Sequence, residues 1–350
     1  MVWYDNIFEE FECNRDKRMI ILAIETSCDD TGAALIEKGK KILSNLVSSQ
    51  DEVHRKYGGV VPELASRRHL ENILPVIRGS LEEAHKSLDE IDAVGVTKGP
   101  GLVGSLLVGI SAAKAISYTK GIPLVGVNHL MGHLLAVFLE EDVPFPFIGM
   151  VASGGHTALY LVEGFTAFRF LGGTRDDAAG EAFDKVAKYL GLGYPGGRVI
   201  EDLARHGNPC AISFPRAYIA KDSLEFSFSG VKTAVVNYVR SHSPGYDGIA
   251  DIAASFQEAV VDVLVNKVIW AAQRHGVSRV VVSGGVASNS RLRERLEQQG
   301  KGLGIKAYFP SPHLCKDNAA MIGVAAYHLF KEGKKDGLDM GAMSRWPLGR

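Results

Sequence analysis

The sequence predicts an α/β fold in two repeated lobes with a cleft between them. Short apolar runs rich in Ile and Val, at 20–24, 93–96, 123–127, 147–151 and 279–283, alternate with longer helical patterns, as strands covered by helices do. The segments 19–39 and 147–164 share one pattern, an apolar strand, a polar or glycine turn and a second strand, each opening a half of the chain. The 350 residues also exceed the usual size of a single hydrophobic core.

The remaining elements follow in order. TSCDDTG (26–32) places hydroxyls and two adjacent carboxylates, Asp29 and Asp30, directly after a buried strand, where α/β proteins put ligands; the alternative is a hairpin turn in which Asp caps its own backbone. Leu70, Ile73, Leu74, Ile77 and Leu81 recur at three and four residues and mark one apolar helix face, with Pro75 as a kink or break. KGPGLVGS (98–105) runs from strand through glycine loop into helix, and 105–118, apolar nearly all round, reads as a buried helix.

In NHLMGH (128–133), Asn128 reads as a helix N-cap, which stacks His129 and His133 on one face, spaced to share a metal. Leu130 follows His129, so the Glu of an HExxH protease is missing. SGGHT (153–157) has the small residues that let backbone amides approach a phosphate. GEAFDKVAKYLGLGYPGG (180–197) reads as a helix and tight turn, with Asp184 facing a ligand or pairing with Lys188. SGGVASNS (283–290) repeats the strand, glycine loop and helix pattern. In CKDNAAMIG (315–323), Asp317 is either a third metal ligand or an N-cap.

Composition narrows the class. An apolar fraction of 46% and a charged fraction of 23% suit a folded water-soluble chain, and no apolar run approaches the roughly 20 residues of a membrane span. A net charge of -1 gives no global field for a polyanion, leaving local clusters, Arg67 with Arg68 and Arg291 with Arg293 and Arg295, each of which alone reads as a solvated helix face. Cys13, Cys28, Cys210 and Cys315 sit singly, which fits a reducing, cytoplasmic setting. The opening residues are acidic and aromatic, unlike a secretory signal.

Taken in order, ETSCDDTG, GGVVPELASRRH, GPGLVGSLLVG, NHLMGHLLA, SGGHT, DDAAGEAFDKVAKYLGLGYPGG, FSFSGVKT, GGVASN and KDNAAMIG closely resemble the TsaD family of tRNA threonylcarbamoyladenosine synthases, from Met19 to about Pro347. The resemblance implies the duplicated actin, Hsp70 and sugar-kinase fold. It gives 19–134 plus about 322–350 as the first lobe and 135–321 as the second. Residues 1–18 have no family counterpart and are expected to be disordered or foreign to the native chain, with translation starting at Met19.

The resemblance also implies the activity: transfer of threonylcarbamoyl from threonylcarbamoyl-AMP to N6 of adenosine 37 in the anticodon loop of tRNAs reading ANN codons, with release of AMP. It puts one divalent metal, iron(II) first and zinc(II) second, on His129, His133 and Asp317. Threonylcarbamoyl-AMP, or nucleotides of the AMP, ADP and ATP type, falls to Val151, Ala152, Ser153, Gly154, Gly155, Asp184, Gly197, Glu201 and Asn289. Asp29 or Asp30 is the candidate base. Asp30 stands where many members carry Glu, and Glu201 where many bacterial members carry Asp. The implied partners are tRNA, a paralogous TsaB chain, the ATPase TsaE, and a TsaC- or Sua5-type protein supplying the adenylate. A small-molecule kinase and a regulatory ATPase of the same fold are the rivals; a kinase would hold Mg²⁺ with carboxylates, and the two histidines speak against it.

Overall fold

In the computed structural model, residues 18–218, 223–242 and 245–349 are described. The expectations for residues 1–17, Cys13 among them, lie outside the described residues. The chain divides into two compact units: Met1–Gln50, Pro62–Glu141 and Asp317–Pro347 form the first, and Asp51–Val61, Asp142–Lys316 and Leu348–Arg350 the second.

The first unit is built on β1 (Ile20–Glu25), whose six residues are all buried. An unbroken apolar run suits a strand covered on both faces. β2 (Asp30–Glu37) pairs with it antiparallel, and β4 (Ala93–Gly99) parallel on the other side. β3 (Lys41–Ser49) and β5 (Leu124–Asn128) complete a five-stranded sheet of order β3-β2-β1-β4-β5. In chain order the helices are α1 (Asp51–Arg55), α2 (Pro62–Glu83), α3 (Val103–Lys120), α4 (His129–Leu135), α5 (Ala179–Tyr189), α6 (Gly196–Ala204), α7 (Ser229–His242), α8 (Tyr246–His275), α9 (Ser290–Gly302), α10 (Pro312–Cys315) and α11 (Ala319–Lys331). Small residues let α11 lie close on the sheet: a Cβ at Gly95 would stand 2.4 Å from the Cβ of Ala326.

Two helix expectations need correction. α2 continues through Pro75, and its buried residues are Ala65, His69, Ile73, Val76, Ile77 and Ser80, while Leu70 and Leu74 are 66% and 68% exposed. The inward face is turned away from the leucine row because two polar residues on it find partners: His69 bonds to Thr31 and Ser80 to Ser44, both at 2.7 Å. α3 is buried on one side only, with Leu107 and Tyr118 exposed. Leu70, Leu74 and Leu107 line one apolar groove between α2 and α3.

The second unit repeats the first strand for strand. β6 (Phe147–Ala152), buried throughout, takes β7 (Thr157–Val162) antiparallel and β9 (Arg279–Ser283) parallel; β8 (Phe168–Gly173) and β10 (Lys306–Tyr308) complete the order β10-β9-β6-β7-β8. The two hairpins β1–β2 and β6–β7 are the repeat seen in the sequence.

Candidate functional site

In the first unit, the Asn128 side chain accepts from the backbone N–H groups of Leu130 (2.9 Å) and Met131 (3.4 Å), starting α4 immediately after β5. One helical turn then brings the His129 and His133 rings to 4.7 Å between centroids. At the start of α11 the capping acceptor is Asn318, which receives the N–H of Met321 at 3.1 Å. Asp317 therefore lies just outside the helix, and its Oδ1 stands 3.1 Å from His133 Nε2 and 3.6 Å from His129 Nε2.

These three side chains fit a metal. Bonds of about 2.0–2.1 Å to a tetrahedral ion put two ligand atoms about 3.3–3.4 Å apart, and the separations of the Asp317 oxygen from the two histidine nitrogens bracket that spacing. All three ligand atoms lie within 4.8 Å of one another. Both histidines are buried, and Asp317 keeps 23% of its side chain exposed. His133 Nδ1 is buried with no hydrogen-bond partner, so what holds this ring is its Nε2 edge.

The local electrostatics follow from packing acids against these rings. Burial works to lower the His129 pKa, but Asp317 and then Glu25 outweigh it and raise it to about 9. His133 is pushed below its ordinary value, chiefly by burial, with the Asp317 hydrogen bond opposing. Burial works to raise Glu25, and the adjacent His129 outweighs that and holds the carboxyl below its usual range. Cys28 is pushed well up, by burial first and then by Asp29 and Asp317.

Asp29 and Asp30 are half-buried in the turn from β1 into β2. His69 fixes this turn, donating from Nε2 to the Cys28 carbonyl at 3.0 Å while Nδ1 meets the Thr31 hydroxyl. The loop after β4 closes on it, with Leu102 N–H donating to the Ser27 carbonyl at 2.8 Å.

The nucleotide candidates lie in the second unit, around the carboxyl ends of β6 and β9. Val151 and Ala152 are buried strand residues that offer backbone only, whereas Gly154 and Gly155 are exposed and a Cβ on either would meet nothing within 4 Å. Gly180 donates its N–H to the Ser153 carbonyl, and a Cβ there would stand 2.7 Å from that oxygen, so α5 can approach the turn only with glycine at this position. Asp184 accepts the N–H of Gly196 at 2.7 Å and joins α5 to α6, while Lys188 donates to the Tyr57 carbonyl. Gly197 borders open space. Glu201 accepts the Ser290 N–H and hydroxyl, and Asn289 caps α9 by accepting from Leu292 N while donating to Gln257.

Arg291, Arg293 and Arg295 are half-buried and engaged, not a solvated helix face. Arg291 pairs with Glu258 and Glu294, Arg295 with Asp262, and Arg293 donates to the carbonyls of Ala287 and Pro310. They tie α8, α9 and the neighbouring loops together, which the sequence reading missed because Glu258 and Asp262 each lie 33 residues before the arginine they meet. Arg67 and Arg68 are exposed and pair with Glu63 and Glu71 on their own helix. Glu25, Thr97, His69 and Gln257 were also missed; the one available signal was a Glu ending an otherwise apolar strand.

Among the described residues, no helix is long and apolar enough to cross a membrane. The family model for tRNA N6-adenosine threonylcarbamoyltransferase matches residues 41–324. A protein of that name from Syntrophus aciditrophicus is 54% identical over 333 residues, spanning 94% of this chain and 98% of its own. The namesake from Clostridium beijerinckii is 52% identical over 337 residues, 95% of this chain and 99% of its own. Among solved structures, component A of the Acidaminococcus fermentans (R)-2-hydroxyglutaryl-CoA dehydratase has a TM-score of 0.52 at 21% identity, covering 90% of this chain and 100% of its own. Full-length HypF reaches 0.62 at 14% identity, over 89% of this chain and 56% of its own. These two likenesses concern the fold alone.

Proposed function

The chain belongs to the TsaD family of tRNA N6-adenosine threonylcarbamoyltransferases, and from that premise we propose which of its residues serve the reaction. It is a transferase of threonylcarbamoyladenosine synthesis, and the kinase and regulatory ATPase alternatives are not favoured. The observation that carries the site is the convergence of His129, His133 and Asp317.

The donor in this reading is threonylcarbamoyl-AMP and the acceptor is N6 of adenosine 37 in tRNAs reading ANN codons. N6 attacks the carbamoyl carbon, the bond from that carbon to the phosphate oxygen breaks, AMP departs, and N6 gives up a proton. A divalent metal held by the three side chains would supply Lewis-acid polarisation and orientation of the threonylcarbamoyl oxygens. Iron(II) is the first choice and zinc(II) the second, since a mixed His and Asp donor set suits both. The amides of Gly154 and Gly155, unobstructed by side chains, receive phosphate or oxyanion charge, while Ser153, whose N–H is donated to the His156 carbonyl, shapes the turn that presents them. Asp184, Gly197, Glu201 and Asn289 surround the nucleoside, beside the strand backbone of Val151 and Ala152. Asp29 or Asp30 takes the N6 proton.

The reading includes a cytoplasmic location, adenylate from a TsaC- or Sua5-type protein, and assembly with TsaE and a paralogous TsaB chain. The exposed leucines of α2 and α3 support a partner that covers part of the first unit. The test is the His129→Ala chain, purified beside the parent, with metal content measured by mass spectrometry and transfer from threonylcarbamoyl-AMP to tRNA measured in parallel. Loss of both metal and transfer in a folded variant is expected. Full transfer by the metal-free variant would overturn the assignment.

A further inference from the structure

Glu25 has no part in the chemistry above, yet it is 1% exposed. Burying a carboxylate is costly unless its oxygens are occupied. Oε1 accepts the Ser27 N–H, and Oε2 accepts the Thr97 hydroxyl at 2.7 Å. Oε2 also faces His129 Nδ1 at 3.1 Å. Three adjacent parallel strands account for the meeting: Glu25 ends β1, Thr97 lies near the end of β4, and His129 begins the helix after β5.

We propose that Glu25 is the positioning residue of the metal centre, holding His129 in the tautomer and orientation that binds a metal. The inference rests on His129 being a ligand. Both Glu25 oxygens already accept hydrogen bonds, so the carboxylate meets His129 Nδ1 as an acceptor and keeps the ring proton on that nitrogen, and Nε2, on the side of Asp317, is the nitrogen a metal would take. Ser27 Oγ also lies 3.1 Å from Nδ1, and a hydroxyl can donate as well as accept. Without the carboxylate, Ser27 can donate to a bare Nδ1, which moves the ring proton to Nε2 and blocks coordination. Glu25 excludes that state and adds negative charge behind the ligand.

Glu25→Gln keeps the shape and removes this selection. Its amide can offer oxygen to the Ser27 N–H or to the His129 and Thr97 side, but not to both. The experiment uses the full chain, stripped of metal and titrated with cobalt(II) and zinc(II) against a competing chelator. The thermal midpoint of the metal-free form controls for folding. Affinity about 10- to 100-fold weaker than the parent, with an altered cobalt visible spectrum and an unchanged metal-free midpoint, is expected. Unchanged affinity and spectrum would overturn the proposal. If Glu25→Gln does not fold, Thr97→Val loosens the same carboxylate: weaker affinity supports the proposal and parental affinity overturns it. Failure of the parent itself to bind either ion would defeat the metal reading beneath it, which separates the two failures.

Discussion

At the scale of single residues, neighbours divide labour in ways that sequence conveys unevenly. Asn318 and Asp317 are both capping residue types, and only the structure shows Asn318 accepting the helix N–H while the Asp317 carboxylate faces the histidines. Asn318→Ala is therefore expected to cost about 1 kcal/mol in urea unfolding of the metal-free protein; an unchanged midpoint would contradict the capping role. His129 and His133 were legible as a pair because four-residue spacing on one helix face is local, whereas Asp317, 184 residues from His133, was chosen as a ligand over an N-cap only through the family motif. Glu25 was not, because its partner lies 104 residues on and nothing nearby in sequence reports that meeting.

His328 on α11 adds a pH dependence. Burial holds its pKa down at about 4, with Glu332 opposing. The folded value lies below the unfolded one of about 6.5, so between those values the unfolded chain binds more protons. Stability is thus lost as pH falls from about 6.5 towards 4. Urea midpoints at pH 7 and pH 5 should differ less in His328→Asn than in the parent, and equal slopes would rule out this residue as a contributor.

At the scale of elements, the apolar strands were readable because strands covered on both faces give continuous Ile and Val runs. The inward face of α2 was misread because it buries His69 and Ser80 against hydroxyls and leaves two leucines outside. Periodicity counts apolar residues and cannot see a polar pair satisfied across elements. The approach of α5 to the glycine turn permits a sharper test. A methyl at Gly180 would press on the Ser153 carbonyl, so Gly180→Ala is expected to destabilise the protein by about 1–3 kcal/mol. It should also raise the KM for threonylcarbamoyl-AMP. A parental KM and stability would show that the turn has room to move.

At the scale of the whole molecule, the same five-strand topology appears twice, and the internal repeat of 19–39 and 147–164 announced it. The apolar groove of α2 and α3 was not announced, because exposure is a property of the assembled unit. Leu74→Glu, at a position 68% exposed, should shift the thermal midpoint little and abolish co-elution with a TsaB-type chain. Co-elution at parental strength would place the partner elsewhere.

The transferase assignment itself is tested most directly on tRNA. Unmodified tRNA is incubated with this chain, its partner proteins, threonine, bicarbonate and ATP, then digested, and its nucleosides are analysed by mass spectrometry. N6-threonylcarbamoyladenosine should appear, and should vanish when this chain is left out. No modified adenosine from the complete mixture, with metal bound to the protein, would contradict the assignment.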